Sequence, residues 1–278
     1  VKMTWVNGSN IVNQAPDSQT IRTAFRSVEF TVVVDAFMTD TASLADMILP
    51  STLILEQTDI VGSFLHNYVH CAAPVIDPPR KAQDDFWILT ELGKRLDPPI
   101  VMPAADECLK ASMNSPYLKN RFEELNDKRF VKARRPTIVY EGLRFNHPDG
   151  LYHFPADLHD ELQPPSDYPL RLLSLVRRDA IHSQIAPEKQ AGLPKVWIAP
   201  ENSILKAVDP TKEVFLVSPL GRLQVQLETL SGLHPETVIY RRGDWIKCGG
   251  GVNQLIEARL TDMGNGSSYY SQFVRLEN

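Results

Sequence analysis

Cysteine is scarce: Cys71, Cys108 and Cys248 are the three in 278 residues. They are odd in number and far apart, which excludes a disulfide framework and a Cys-x-x-Cys metal site and leaves free thiols as the expectation. An excess of positive charge is also missing. The 29 Lys and Arg against 34 Asp and Glu give a formal charge of −5, and Arg134-Arg135, Arg177-Arg178 and Arg241-Arg242 are isolated pairs. Nucleic acid is therefore not expected as a partner, because phosphate binding needs a concentrated positive field. No apolar run reaches the ~20 residues that span a bilayer, so no transmembrane segment is expected in the chain. Neither G-x-G-x-x-G nor G-x-x-x-x-G-K-[ST] occurs, which argues against an ordinary dinucleotide or ATP enzyme. No G-x-S-x-G, H-E-x-x-H or paired-carboxylate signature supports hydrolysis. The opening VKMTWVNGSN has no initiator Met and no charged leader, as expected of a chain cut from a longer one.

What is present first is a βαβ pattern. Met3 to Val6 read as a short buried strand, and VNGSNIVNQAPD follows as a loop. From Ser18 the positions Ile21, Ala24, Phe25 and Val28 recur at helical spacing, with Asp17 or Ser18 as N-cap after Pro16. FTVVVDAF, from Phe30, is too continuous for a half-exposed strand and suits one covered on both faces. Strand, helix and strand at this spacing predict a right-handed crossover and a parallel sheet, whose ligands sit beyond the carboxyl ends of the strands. TDTASLAD then reads as a short helix capped by Thr39 or Asp40, and MILP as a brief buried strand. Gln83 to Leu96 is an amphipathic helix, residues from about Ala104 to Lys132 form a weaker helical region, and TIVYEGLRFNHPDGLYHF resembles a hairpin turning at HPDG.

The proline-rich, acidic segment 154–169 is expected to be a linker. Beyond it the texture changes to short apolar runs: LRLLSLV, KVWIAP, EVFLVSP, RLQVQLET, TVIYR and SQFVRLEN. SPLGRLQVQ reads as a hairpin with Gly221 in the turn, and about 110 residues of this kind predict a closed or nearly closed β-barrel.

Several stretches carry candidate chemistry, each with two readings. VNGSNIVNQAPD places amide side chains at a strand's carboxyl end, where they match a purine or pterin edge, or simply make a turn. Asp35 either accepts from a ribose diol or guanine edge or caps the turn that follows. His66 and His70 in HNYVHC invite a metal reading, although Tyr68 and Val69 favour a plain strand. RRDAIHSQ, Arg177 to Gln184, offers arginine forks suited to phosphate, or a solvated loop. GGGVNQL, Gly249 to Leu255, permits close backbone approach to a ligand or is a flexible loop.

VNGSNIVNQAPD followed by VVVDAFMTDTASLADMILPSTLILEQTD resembles the molybdopterin oxidoreductases of the dimethyl sulfoxide reductase superfamily, which includes formate dehydrogenases and nitrate reductases. The match is to the C-terminal part of such enzymes. DDFWILTELGKRL, YPLRLLSLVRRDAIHSQ, VWIAPENS and the final VNQL with D-x-G-x-G-x-x-x-Y resemble later family elements. The resemblance implies an α/β plus β architecture. Residues 1–153 would belong to a partial Rossmann-like parallel α/β region with a helical extension, 154–169 to the linker, and 170–278 to a six-stranded double-psi barrel.

It also implies a molybdenum or tungsten centre carried by two molybdopterin guanine dinucleotides. Asn10, Gln14 and Asp35 would contact one dinucleotide. Arg177, His182 and Ser183 would meet pterin and phosphates, and Asn253 with Tyr269 or Tyr270 would complete the contact. The family's iron–sulfur segment and metal ligand lie upstream of the match, so no catalytic or metal-ligating residue is expected here. The implied partners are the rest of the polypeptide and an iron–sulfur electron-transfer subunit. AVDPTKEV and LHPETVIY depart from the family's barrel turns. The alternative expectation is a stand-alone nucleotide- or pterin-binding module without catalysis.

Overall fold

The computed structural model describes residues 1–278 except Arg80, Asn120 and Pro210, the last within AVDPTKEV. The chain divides into two compact units, one of Val1–Ile48 with Pro155–Asn278 and the other of Leu49–Phe154.

The first segment contains β1 (Met3–Asn7), α1 (Ile11–Gln14), α2 (Ser18–Ser27), β2 (Phe30–Asp35) and β3 (Met47–Pro50). β1 and β2 pair in parallel from Met3 opposite Phe30 to Asn7 opposite Val34, with β3 on the far side of β2. The βαβ expectation holds. Val32, Val33 and Val34 are fully buried, as a central strand requires. MILP differs from the expected buried strand, because the sheet ends at β3 and Met47 stays exposed. Gly8 takes φ +57 where the chain leaves β1, a conformation that favours glycine, and its amide donates to the Val34 carbonyl at 2.9 Å.

Asp17 caps α2: its carboxylate accepts from the Thr20 amide at 3.1 Å. Asp17→Ala is expected to cost about 1 kcal/mol through the lost cap, and Asp17→Asn clearly less. Urea midpoints of the two variants check this; equal losses would show that the cap does not matter.

In the second unit β4 (Asp59–Val61) and β6 (Phe130–Lys132) flank β5 (Tyr68–Ala72) in an antiparallel sheet. The helices are α3 (Asp85–Gly93), α4 (Ala105–Ser112) and α5 (Phe122–Lys128), around a small core of Met113, Leu125 and Val131. HNYVHC contributes β5, and no cluster of three metal-ligating side chains occurs among the described residues. The expected hairpin over TIVYEGLRFNHPDGLYHF does not form. Only its turn does, with the Gly150 amide donating to the His147 carbonyl at 2.9 Å. Tyr140, Gly142 and Leu143 all take positive φ, which breaks the first arm.

The barrel comprises β7 (Leu170–Leu175), β8 (Lys195–Ile198), β9 (Val214–Ser218), β10 (Gly221–Thr229), β11 (Thr237–Arg241) and β12 (Gln272–Glu277). It closes in the order β10-β8-β11-β7-β12-β9. The β8/β10 and β7/β11 pairs are parallel and the rest antiparallel. Closure leaves no free edge, and β7 alternates, with Leu170, Leu172 and Ser174 buried, whereas β11 is buried continuously from Thr237 to Tyr240. Val196, Ile198, Leu216, Val238, Tyr240 and Val274 complete a dry interior. In the β9/β10 hairpin Gly221 pairs with Ser218, and Pro219 and Leu220 form the two-residue turn between them.

Candidate functional site

The site lies within the first unit, where the loops after β1 and β2 meet the barrel loops. VNGSNIVNQAPD is an ordered arch with a single helical turn, α1, in its middle. The Asn10 carbonyl accepts from the Asn13 and Gln14 amides at 3.0 and 2.9 Å. Its side-chain Oδ1 accepts from both the amide and the hydroxyl of Thr41 at 3.1 Å, and Thr41 Oγ1 in turn accepts from the Val12 amide at 3.0 Å. Asn10 and Thr41 are both buried, so this exchange locks the loop after β1 to the loop after β2. The N-cap position of the 3-10 turn Ala42–Leu44 is Thr41, not the expected Thr39 or Asp40, while Thr39 Oγ1 accepts from the Ala42 amide at 3.1 Å.

Five side-chain contacts, besides the Asp17 amide donating to the Ile256 carbonyl at 2.8 Å, then tie the arch to the barrel domain. The Asn13 side-chain amide donates to the Asp244 carbonyl at 2.7 Å. The Asn253 side-chain amide donates to the Asn13 and Gln14 carbonyls at 2.7 and 2.8 Å, and the Tyr269 hydroxyl donates to the Gln14 carbonyl at 2.8 Å. The Gln14 side chain donates to the Ser183 hydroxyl at 3.0 Å. The last carbonyls of a helix have no internal donor, so Asn253 and Tyr269 supply what α1 cannot. The loop after β2 is fastened separately by Asp40, whose carboxylate accepts from the Ile246 and Lys247 amides at 2.9 and 3.0 Å.

These contacts frame a cleft lined by Gln14, His182, Arg242, Asp244, Asn253 and Tyr269, among others. His182 takes φ +49, and Gly243, at φ +115, passes so close to the His182 carbonyl that a Cβ would overlap it. Trp245 fixes the same loop by donating its indole N–H to the Ser183 carbonyl at 2.7 Å and its amide to the Gln190 side chain at 2.6 Å. The Arg242 guanidinium lies over the Tyr269 ring, 4.6 Å from its centroid. Arg242 Nε and Nη1 are buried with no hydrogen-bond partner, as are Arg177 Nε, Asp244 Oδ1 and Asn253 Oδ1. Arg242, Asp244 and Asn253, which carry four of these open atoms, all line the cleft, and such a concentration points to a ligand site, while Asn10 Nδ2, Ser18 Oγ, Thr31 Oγ1 and Thr90 Oγ1 are unpaired outside its lining.

Behind the cleft the Tyr240 hydroxyl donates to Asp244 Oδ2, and Arg177 Nη2 stands 3.6 Å from Asp244 Oδ1. Burial raises the Asp244 carboxyl above its ordinary value, against the opposing pull of the Tyr240 hydroxyl and the Arg177 charge. Burial, reinforced by the Asp244 charge, pushes the Tyr240 phenol well up. A raised carboxyl gives stability that is fully present below 3.8 and is lost as pH rises through the raised value. Asp244→Asn keeps an acceptor for Tyr240 and removes this dependence. The variant's urea midpoint is therefore expected to gain on wild type as pH climbs from 3.8; a constant gap would contradict the assignment.

Gln14, His182, Asn253 and Tyr269 line the cleft, and Ser183 is bonded to Gln14 at its wall. Arg177 approaches from the Asp244 side and also lines a neighbouring hollow with Lys189, Trp197 and Arg241. Asn10 stands behind the arch, with its carbonyl oxygen engaged by Thr41. Asp35 and Tyr270 do not line the cleft. Asp35 is half-buried and accepts from the Phe37 amide at 3.0 Å, with burial raising its carboxyl, while Tyr270 is exposed. Sequence reasoning offered Asp40 only as a candidate helix cap and passed over Asn13, Arg242 and Asp244. The only signal for the last two was Arg-Gly-Asp at the end of a barrel strand.

The protein is thus a parallel α/β segment sharing one polar cleft with a closed mixed barrel. Residues 1–95 match the family described as Molybdopterin oxidoreductase. The "Probable oxidoreductase YyaE" of Bacillus subtilis (strain 168) is 28% identical over 301 residues, covering 100% of this chain and 45% of that protein. The "Probable dimethyl sulfoxide reductase chain YnfF" of Escherichia coli (strain K12) is 21% identical over 343 residues, covering 100% of this chain and 42% of its own length. The solved structure of acetylene hydratase from Pelobacter acetylenicus shares the fold with a TM-score of 0.75 at 17% identity, covering 99% of this chain and 44% of that one. The chain is similar to molybdopterin oxidoreductases, with the family match itself confined to residues 1–95. It spans about half the length of the curated relatives it matches.

Proposed function

We propose that this chain forms the cofactor-holding portion of a molybdenum or tungsten oxidoreductase and grips a molybdopterin guanine dinucleotide in the cleft between the 10–17 arch and the barrel. The observation that carries this reading is the set of open groups on Arg242, Asp244 and Asn253 within one cleft. Donors and acceptors side by side suit a pterin, and a buried guanidinium suits the negative charge of its dithiolene and phosphate ends.

In this reading Arg242, lying over the Tyr269 ring, holds the anionic part of the cofactor. His182 and Ser183 position the barrel loop against it, and Gln14 ties that loop to the arch. Arg177 balances the carboxylate at the cleft's back wall. The cofactor, one of two per active centre, supplies two-electron exchange with oxygen-atom or proton transfer at its metal, and the protein supplies orientation and electrostatics. The metal's protein ligand and an iron–sulfur cluster belong, on this reading, to sequence outside these residues, and an iron–sulfur electron-transfer subunit is the partner. This chain alone is then catalytically silent.

The test is to produce the chain within its complete polypeptide in a host that makes the cofactor, and to measure released pterin and guanine nucleotide after denaturation. Stoichiometric pterin and guanine are expected, with a marked loss in Arg242→Ala. A folded wild-type protein carrying neither would overturn the proposal.

A further inference from the structure

The second unit carries a surface that the cofactor reading leaves unused. Val69 of β5 and Val131 of β6 pack in its small core, so strand alternation puts Tyr68, His70, Phe130 and Lys132 on the opposite face. All four are exposed there. The ring centroids of Tyr68 and Phe130 lie 6.0 Å apart, those of His70 and Phe130 6.2 Å, and His66 continues the row 5.7 Å from Tyr68. HNYVHC, whose histidines invited a metal reading, thus supplies three rings of an open aromatic platform. A groove continues from this platform between 63–67 and 135–139, lined by Phe64, Leu65, His66, Tyr68, Lys132 and Arg135 among others. Asn67 fastens its two walls: the Asn67 carbonyl accepts from the Ala133 amide at 2.7 Å, and its side-chain amide donates to the Arg135 carbonyl at 3.3 Å. Phe64 and Leu65, on one wall, are almost wholly exposed. Lys132 and Arg135 stand on the other, within KRFVKARR, residues 128–135, which holds five cations and no acid. Among the described residues Lys128 pairs with Glu124, whereas no carboxylate lines the groove or forms an ion pair with Lys132, Arg134 or Arg135.

Apolar side chains exposed together mark an interaction surface, and cations without counter-charges fix the sign of what it meets. The geometry points to a docking groove for an acidic, extended segment of a partner protein. Its carboxylates meet Lys132 and Arg135, and an apolar side chain lies against Phe64, Leu65 and Tyr68. Aromatic and arginine side chains are the types that dominate such contacts. Asn67 holds the walls before the segment arrives, so little ordering cost falls on this chain. Two cations are too few for the long positive track that nucleic acid needs, and a concave groove suits a single strand better than a flat lipid surface. The inference is independent of the cofactor cleft, which lies in the first unit.

The experiment is fluorescence anisotropy of the purified full chain with two labelled peptides, Asp-Glu-Phe-Glu-Asp-Trp-Glu and its uncharged counterpart Asn-Gln-Phe-Gln-Asn-Trp-Gln. The acidic peptide is expected to bind roughly ten-fold more tightly at low salt, and the difference should shrink as salt is added. Lys132→Ala with Arg135→Ala should bring the two peptides to equal affinity, and Phe64→Ser with Leu65→Ser should weaken both. Lys94→Ala with Arg95→Ala removes the same charge from α3 and should change neither, with thermal unfolding confirming that every variant is folded. Equal binding of the two peptides by wild type, no binding of either, or equal losses in the two charge variants would overturn the inference. So would tighter binding of single-stranded oligothymidylate or phosphatidylserine vesicles than of the acidic peptide. Binding that is present in this chain but lost in its complete polypeptide would assign the groove to internal packing and equally overturn it.

Discussion

Asn253→Ala is expected to lower the melting temperature of the first unit by roughly 5–12 °C, from a loss of about 2–4 kcal/mol. Asn253 is buried, and its amide group serves two carbonyls at the C-terminal end of α1. Alanine leaves the Asn13 carbonyl with no donor, while Gln14 retains the Tyr269 hydroxyl. An unpaired buried carbonyl costs about 1–3 kcal/mol, and the lost bond to Gln14 adds to it. Removal of the open Asn253 oxygen offsets a little. Asn253→Asp has nearly the same shape but turns a carboxylate towards two carbonyls, so it should be worse than alanine. Because Tyr269 shares a target with Asn253, Tyr269→Phe in the alanine background should cost more than in wild type. A melting shift within 1 °C of wild type for Asn253→Ala would show that the arch is not held this way.

Asp40→Ala should follow at about 2–4 kcal/mol, since its buried carboxylate receives two amides and hydrogen bonds to a charged group are among the stronger ones. Asp40→Asn retains one acceptor oxygen without the charge and should lose about half as much. A second readout separates loss of the clamp from general instability. The Cys248 thiol, partly exposed, is raised first by burial and then by the Asp40 charge. Both variants should therefore show faster alkylation of Cys248 by iodoacetamide in folded protein, measured by peptide mass spectrometry, while Cys71 is unchanged. Equal labelling of Cys248 in wild type and variants would contradict the clamp.

The parts of this structure legible in the sequence are those governed by local pattern. FTVVVDAF announced a doubly covered strand because every residue from Thr31 to Val34 is buried. LRLLSL announced a barrel strand because its inward positions alternate. Where several residues compete for one backbone, pattern fails. The four-residue α1 is too short to show periodicity, and the arm before HPDG has turn-like composition only at Gly142, while Tyr140 and Leu143 also turn left-handed.

The site was half legible for the same reason. Gln14, His182, Asn253 and Tyr269 sit in segments whose resemblance to a family is strong, and the fold brings all four to one cleft. Asp244 and Asn13 lie 231 residues apart, and their pairing exists only once the barrel has closed. Arg242 read as half of an isolated pair, because nothing local reveals that a tyrosine 27 positions on, at 269, will lie beneath its guanidinium. Asp35, read equally as a ligand contact or a cap of the turn that follows, turns its carboxylate to the Phe37 amide.

The central claim is that one cleft, made by the arch and the barrel loops, holds the cofactor. Hydrogen–deuterium exchange of the purified full chain, with and without 6-hydroxymethylpterin, tests it most directly. Slower exchange is predicted for amides in 10–14, 182–184 and 242–254 together, with no change across Leu49–Phe154. Protection confined to Leu49–Phe154, or absent from all three cleft segments under saturating ligand, would contradict the account.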